Sequence, residues 1–256
     1  MNQRERVEPW KLVLIGAVAG VVGGGLGVGG GIIIVPLLVF VGLGRHRAHA
    51  TSLSAIVFIA AAGALSFGAS GEIDLLAGVI IGIGGIIGSV AGTTVMHRVS
   101  ARALTLVFGV VLLVAGIRLV MSADPLPGAV GYPMLGQVAI SLGIGMVAGF
   151  FAGLAGIGGG VVIVPASVLL LGLEQHQAQG TSLLAIVFTS IAGTVVNRRN
   201  QRVRLVDGLL AGVGGVIGSL AGSRLALLIE GRTLSVVFGM LVLFVASRTL
   251  YRTLRD

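Results

Sequence analysis

A glycine-rich apolar motif that occurs twice constrains this chain more than any other feature. Gly24–Pro36 (GGLGVGGGIIIVP) returns as Gly153–Pro165 (GLAGIGGGVVIVP), keeping the three consecutive glycines and the closing Ile-Val-Pro. The likeness continues through Thr51-Ser52-Leu53 and Ala55–Phe58, which return as Thr181-Ser182-Leu183 and Ala185–Phe188. Further on, Gly78, Gly82, Gly85, Ser89 and Gly92 are matched by Gly208, Gly212, Gly215, Ser219 and Gly222. The chain is therefore one unit written twice, a pattern common in secondary transporters.

The background of the repeat is that of a membrane protein. Of 256 residues 55% are hydrophobic and 10% charged, against about 25% charged in soluble domains. A span needs about 20 mostly apolar residues. Leu75–Met96, Leu104–Met121, Val138–Ala155, Leu205–Leu228 and Leu234–Leu250 come close to that length, leaving no room for a sizeable soluble domain. The 44 glycines fall inside these apolar segments and suit close helix contact and broken helices. With no cysteine, disulfides, thiolate metal sites and thiol relays are excluded.

The net charge of +8 comes from basic residues at the ends of apolar segments, where they orient the chain rather than bind nucleic acid. Arg4, Arg6 and Lys11 ahead of Leu12–Val22 look like the start of a signal peptide. The internal counterpart of that segment favours a retained span.

Leu12–Leu43 is too long for one span and too short for two. As a helix it would reach about 48 Å, against a hydrocarbon core of about 30 Å. Seven of the nine residues Gly23–Gly31 are glycine, each costing about 1 kcal/mol relative to alanine in a helix interior. The segment is expected to break there. A hairpin returning to its starting side puts Arg45 and Arg47 with Arg4, Arg6 and Lys11. Three ordinary spans then place Glu72, Asp74 and Asp124 on the far side and Arg98 and Arg102 on the near side. The same pattern in the second half puts Glu174 and Glu230 far and Arg198, Arg199, Arg202 and Arg204 near. It leaves Arg118, Arg224 and Arg232 alone of 17 basic residues on the far side or in the membrane. The positive-inside rule then makes both termini cytoplasmic.

The expected fold is an all-α polytopic transmembrane helix bundle of two inverted repeats. Each has a Gly-broken first segment, re-entrant or hairpin and counting as one span or two, followed by three spans. The first repeat is 1–121, with its broken segment at 12–43 and spans near 51–69, 75–96 and 103–121. Residues 122–134 are a linker. The second repeat is 135–256, with its broken segment at 135–173 and spans near 181–197, 205–228 and 233–250.

The motif GxGGGxxxVP followed by a TSL-A-IVF segment, once per half, resembles the sulfite exporter TauE/SafE family, also called the toluene sulfonate uptake permease family. The likeness runs from Leu14 to about Leu250. It implies a cell-membrane transporter of small anions such as sulfite, sulfonates or sulfoacetate, and no catalytic residue set. It leaves open which anion, the direction, the coupling ion and the oligomeric state.

Candidate substrate residues follow from the breaks. Gly29, Gly30 and Gly31, with Gly158, Gly159 and Gly160, open second arms whose unpaired N–H groups attract an anion; the alternative is that they only permit tight packing. Thr51, Ser52, Thr181 and Ser182 either cap the following helix or donate to the anion. Pro36 and Pro165 should kink their arms, with any gating indirect. His46 and His176 are the repeated histidines, able to titrate with a proton or simply interfacial. Arg118 and Arg248 suit snorkelling, while Arg224 could pair with Glu230 or meet substrate. The glycine rows at 78–92 and 208–222 read as packing faces.

No P-loop of the GxxxxGK[ST] type supports nucleotide-driven transport. The near absence of Asp, Glu, Cys and His from the spans disfavours a metal-cation permease. No cofactor is implied, and the partners are the bilayer and a small anion. A passive anion channel and a membrane assembly factor are the competing classes.

Overall fold

The computed structural model describes residues 7–95, 101–121, 132–155, 159–199 and 205–255. Gly158, Arg98, Asp124 and most of the 122–134 linker lie outside them.

The described residues form ten α-helices: α1 Pro9–Gly25, α2 Gly31–Phe40, α3 Arg45–Ala69, α4 Leu75–Val95, α5 Ala101–Met121, α6 Met134–Ala155, α7 Gly160–Leu171, α8 Gln175–Arg199, α9 Leu205–Leu228 and α10 Gly231–Arg255. By length and composition α3, α6, α8, α9 and α10 can each cross a membrane. The outward faces suit a bilayer, with Ile217, Leu225 and Phe244 among many large apolar side chains left uncovered. The chain is a multi-pass membrane protein.

Packing is reciprocal between the two halves of the sequence. Helix α1 lies against α9, and α6, which corresponds to α1, lies against α4. Glycine makes both seams possible. A β-carbon at Gly16 or Gly20 would enter the α9 backbone at Ala211 and Gly215, and one at Gly214, Gly218 or Gly222 would enter the carbonyls of Val13, Ala17 and Val21. Across the other seam Gly84 and Gly88 meet Leu142 and Met146, and Gly145 and Gly149 meet Ile81 and Gly85. Both pairings advance together along the sequence, so each seam joins parallel helices.

The second glycine face of α4 receives side chains of α8: Leu184 on Gly78, Phe188 on Gly82 and Thr189 on Gly85. Helix α9 likewise receives Ser54, Phe58 and Ile59 of α3 on Gly208, Gly212 and Gly215. These pairs are also parallel. By contrast α3 and α8 cross antiparallel, with Gly63 against Leu183 and Gly193 against Leu53. So do α5 and α10, with Gly109 against Leu250 and Gly116 against Leu243. Arg232, at the start of α10, donates to the carbonyls of Leu119, Val120 and Met121 and satisfies the end of α5.

Two boundaries differ from the sequence expectation. Helix α3 starts at Arg45 behind Gly44, and α8 at Gln175, rather than near 51 and 181. Charge opposes a membrane interior, so the sequence suggests a loop over these basic and polar first turns, yet a helix continues through an interface without penalty. Thr51, Ser52, Thr181 and Ser182 therefore sit inside their helices and cap nothing.

Candidate substrate site

Helix α1 ends at Gly25, and three of the next five residues, Gly27, Gly29 and Gly30, have φ of +73°, +72° and +81°. The N–H groups of Val28 and Gly29 both donate to the Gly23 carbonyl, closing a tight turn. Gly30 then caps α2, its carbonyl accepting from Ile33 and Ile34. A β-carbon on Gly30 would lie 2.8 Å from the carbonyl oxygen of Ala19, about 9 Å before the end of α1 at 1.5 Å per residue. The chain has doubled back along its own first arm.

The described residues of the second half show a matching helix start. Gly159, at φ +79°, caps α7, and its carbonyl accepts from Val162 and Ile163. A β-carbon there would lie 3.4 Å from the Ala148 carbonyl, the counterpart of Ala19. Helices α2 and α7 have 10 and 12 residues, about 15 and 18 Å, which is short of crossing a core of about 30 Å.

The two breaks meet. A β-carbon on Gly160 would stand 2.6 Å from Cα of Val28 and 2.9 Å from the Gly27 carbonyl. Gly29 is enclosed by Ile56 of α3 and Ile186 of α8, at 3.2 and 3.0 Å from its would-be β-carbon. Among the described residues, nothing accepts a hydrogen bond from the first-turn N–H groups of Gly31 and Ile32, or of Gly160 and Val161. Such groups form the positive end of a helix dipole.

Hydroxyl groups surround this junction unequally. Ser182 Oγ donates to the Gly27 carbonyl at 2.8 Å and pins the first break to α8. Its counterpart Ser52 is fully buried, and its hydroxyl has no partner among the described residues. Thr181 Oγ1 accepts from the Asp74 N–H at 3.0 Å, tying the start of α4 to α8. The Thr51 carbonyl accepts from Ser54 Oγ at 2.8 Å.

The other candidates lie away from the junction. Pro36 and Pro165 are inside α2 and α7, the first exposed and the second buried. His46 is exposed on the first turn of α3, while His176 Nε2 lies 3.0 Å from the Ala226 carbonyl at the end of α9 and so carries the ring proton. Arg224 projects from the uncovered face of α9 and forms no ion pair with Glu230. Arg118 is half-buried near the end of α5, and Arg248 is exposed on α10. Among the described residues no three His, Asp or Glu side chains cluster to hold a metal.

Gln175 and Gln179 belong to no motif in the sequence, yet the structure sets Gln179 beside the junction. They stand one turn apart on α8, in line with Ser182, and are buried, with no hydrogen-bond partner for any of their four amide atoms among the described residues. Their spacing of i, i+4 and i+7 from 175 to 182 was the available signal.

Comparison with known proteins agrees with this architecture. The curated relatives include the Probable membrane transporter protein YunE of Bacillus subtilis, 27% identical over 263 positions spanning 94% of this chain and 96% of that one. A Probable membrane transporter protein of Xylella fastidiosa (strain 9a5c) is 29% identical over 252 positions, spanning 94% and 92%. No solved structure matches the chain. The description Sulfite exporter TauE/SafE, a family of transporters and not of enzymes, matches residues 2–136 and 140–256; the chain belongs to the sulfite exporter TauE/SafE family.

Proposed function

We propose that the protein is a secondary transporter of a small sulfur oxyanion, sulfite or an organosulfonate, and that it binds its substrate where the two glycine breaks meet. The observation that carries this reading is the contact between Gly160 and the Gly27-Val28 turn. It brings two half-length helices together by their N-terminal ends. Each end is worth up to about 2 kcal/mol toward an anion in a partly buried setting, offsetting part of the cost of stripping its water. Glycine leaves the backbone open to the ligand.

The halves are read as inverted repeats, 1–121 and 135–256 around the 122–134 linker. Support comes from the helix directions. Helices α1, α3 and α9 run one way and α4, α6 and α8 the other, so the corresponding pairs α1/α6 and α3/α8 are opposed. A repeat related by an axis along the membrane normal would keep them aligned. The charge asymmetry, by the positive-inside rule, supports both termini and Arg45 in the cytoplasm and Glu72 and Glu174 outside.

Reconstitution into proteoliposomes tests the function. Sulfite efflux should depend on the protein and proceed uphill when coupled to an ion gradient. Flux that only dissipates a gradient identifies a channel, and the absence of both flux and binding identifies an assembly factor. Gly30→Val and Gly159→Val should each abolish sulfite binding. Wild-type affinity in both folded variants means that the glycines serve packing alone.

A further inference from the structure

We propose that Gln179 is a direct ligand of the transported anion, donating a carboxamide N–H to one of its oxygens at the turn of the first glycine break. The inference rests on the anion site proposed above and adds a side chain to a site otherwise built from backbone.

Gln179 is fully buried, and among the described residues neither its Nε2 nor its Oε1 has a hydrogen-bond partner. A buried carboxamide with both ends unpaired destabilises a fold, so native structures nearly always supply partners. Its position relates that vacancy to the site. A β-carbon on Gly27 would lie 2.7 Å from Cα, 2.8 Å from Cβ and 3.0 Å from Cγ of Gln179. The turn of the break is thus pressed flat along the stem of this side chain, and any larger residue at 27 would displace it. One helical turn away, Ser182 fixes the same turn through the Gly27 carbonyl, and Ile186 touches Gly29 and Gly160. Residues 179, 182 and 186 are therefore the face of α8 turned toward the junction.

A carboxamide brings two donors and an acceptor. An oxyanion supplies acceptor oxygens for the N–H group, and a water of its residual hydration shell can donate to Oε1. Gln175, one turn toward the start of α8 and also unpartnered, continues the polar face outward from the break.

The test uses full-length protein in detergent, with sulfite, methanesulfonate and chloride as probes, and compares wild type with Gln179→Leu and Gln179→Met. Two readings are taken from each protein: melting temperature without ligand, and affinity by calorimetry. Removing one hydrogen bond to a charged ligand should weaken sulfite and methanesulfonate binding on the order of tenfold or more. The ligand-free melting temperature should hold or rise, since an unpartnered amide gives way to an apolar side chain of similar length. A residue needed only for packing gives the reverse, a lower melting temperature with affinity intact, and that result overturns the proposal. Failure of both variants to fold overturns it as well. If wild type and both variants bind sulfite equally, Gln179 is not a ligand while the anion site stands. If wild type binds none of the three anions, the functional reading itself fails.

Discussion

Alanine at the two helix-capping glycines should separate backbone strain from steric exclusion. Gly30 and Gly159 have nearly the same backbone, φ +81° and +79°, so a β-carbon at either incurs the left-handed penalty of about 1–2 kcal/mol. Their surroundings differ. At Gly30 the new carbon would lie 2.8 Å from the Ala19 carbonyl oxygen, a backbone atom inside α1 that cannot rotate away. At Gly159 it would lie at an ordinary 3.4 Å from the Ala148 oxygen. Overpacking of the first kind adds about 1–3 kcal/mol. The expected losses are thus about 1–2 kcal/mol for Gly159→Ala, from strain alone, and about 2–5 kcal/mol for Gly30→Ala, from both causes. Reversible unfolding in mixed micelles, followed by circular dichroism, measures both. If Gly159→Ala loses as much as Gly30→Ala, the close return of the chain onto its first arm is wrong.

The other predictions follow from single contacts. Gly218→Val would drive a side chain into the Ala17 carbonyl and should part α1 from α9, preventing recovery of a monodisperse protein on size exclusion. Gly143 has nothing within 4 Å of its would-be β-carbon, so Gly143→Ala should raise stability by up to about 1 kcal/mol through helix propensity, read from the same unfolding curves. Ser182→Ala removes the hydrogen bond to the Gly27 carbonyl and should cost about 1 kcal/mol, with faster amide exchange at Val28 and Gly29. In a chain without native cysteine, a cysteine at Glu72 or Glu174 should react with an impermeant maleimide on intact cells and one at Arg45 should not; labelling at 45 from outside would refute the assigned sidedness.

Where the sequence was informative, it was through glycine. A density of seven glycines in nine residues marks the first break, although the helix persists to Gly25 and resumes at Gly31, so that only Gly27, Gly29 and Gly30 lie in the turn itself. The row at Gly78, Gly82 and Gly85 marks the face that α8 covers because only side chains that small admit Leu184 and Phe188. Side chains at the interface were harder to read. His46 and Arg45 resemble loop residues, yet they begin α3, since the hydrogen-bonding pattern of a helix is indifferent to whether its first turn is wet. Gln175 and Gln179 are inconspicuous in the sequence for the same reason: an amide near the end of a span looks interfacial until the packing shows it sealed. Arg224 and Glu230 are close in sequence but do not pair. Arg224 faces outward from α9, whereas Glu230 follows its end.

The parallel seams also govern the order in which the protein can be made. Helix α1 is made well before the surface that fits Gly16 and Gly20, which is on α9, whose Ala211 and Gly215 come about 200 residues later. At about 5–20 residues per second the first helix waits roughly 10–40 s with its glycine groove facing lipid. Helix α4 waits for α6 in the same way. Neither seam exists within one half, so a nascent chain stopped at the midpoint would have inserted several helices and secured neither α1 nor α4. Assembly is a late event that needs nearly the whole chain, and the insertion machinery must hold the early helices in a loosely associated state until their partners arrive.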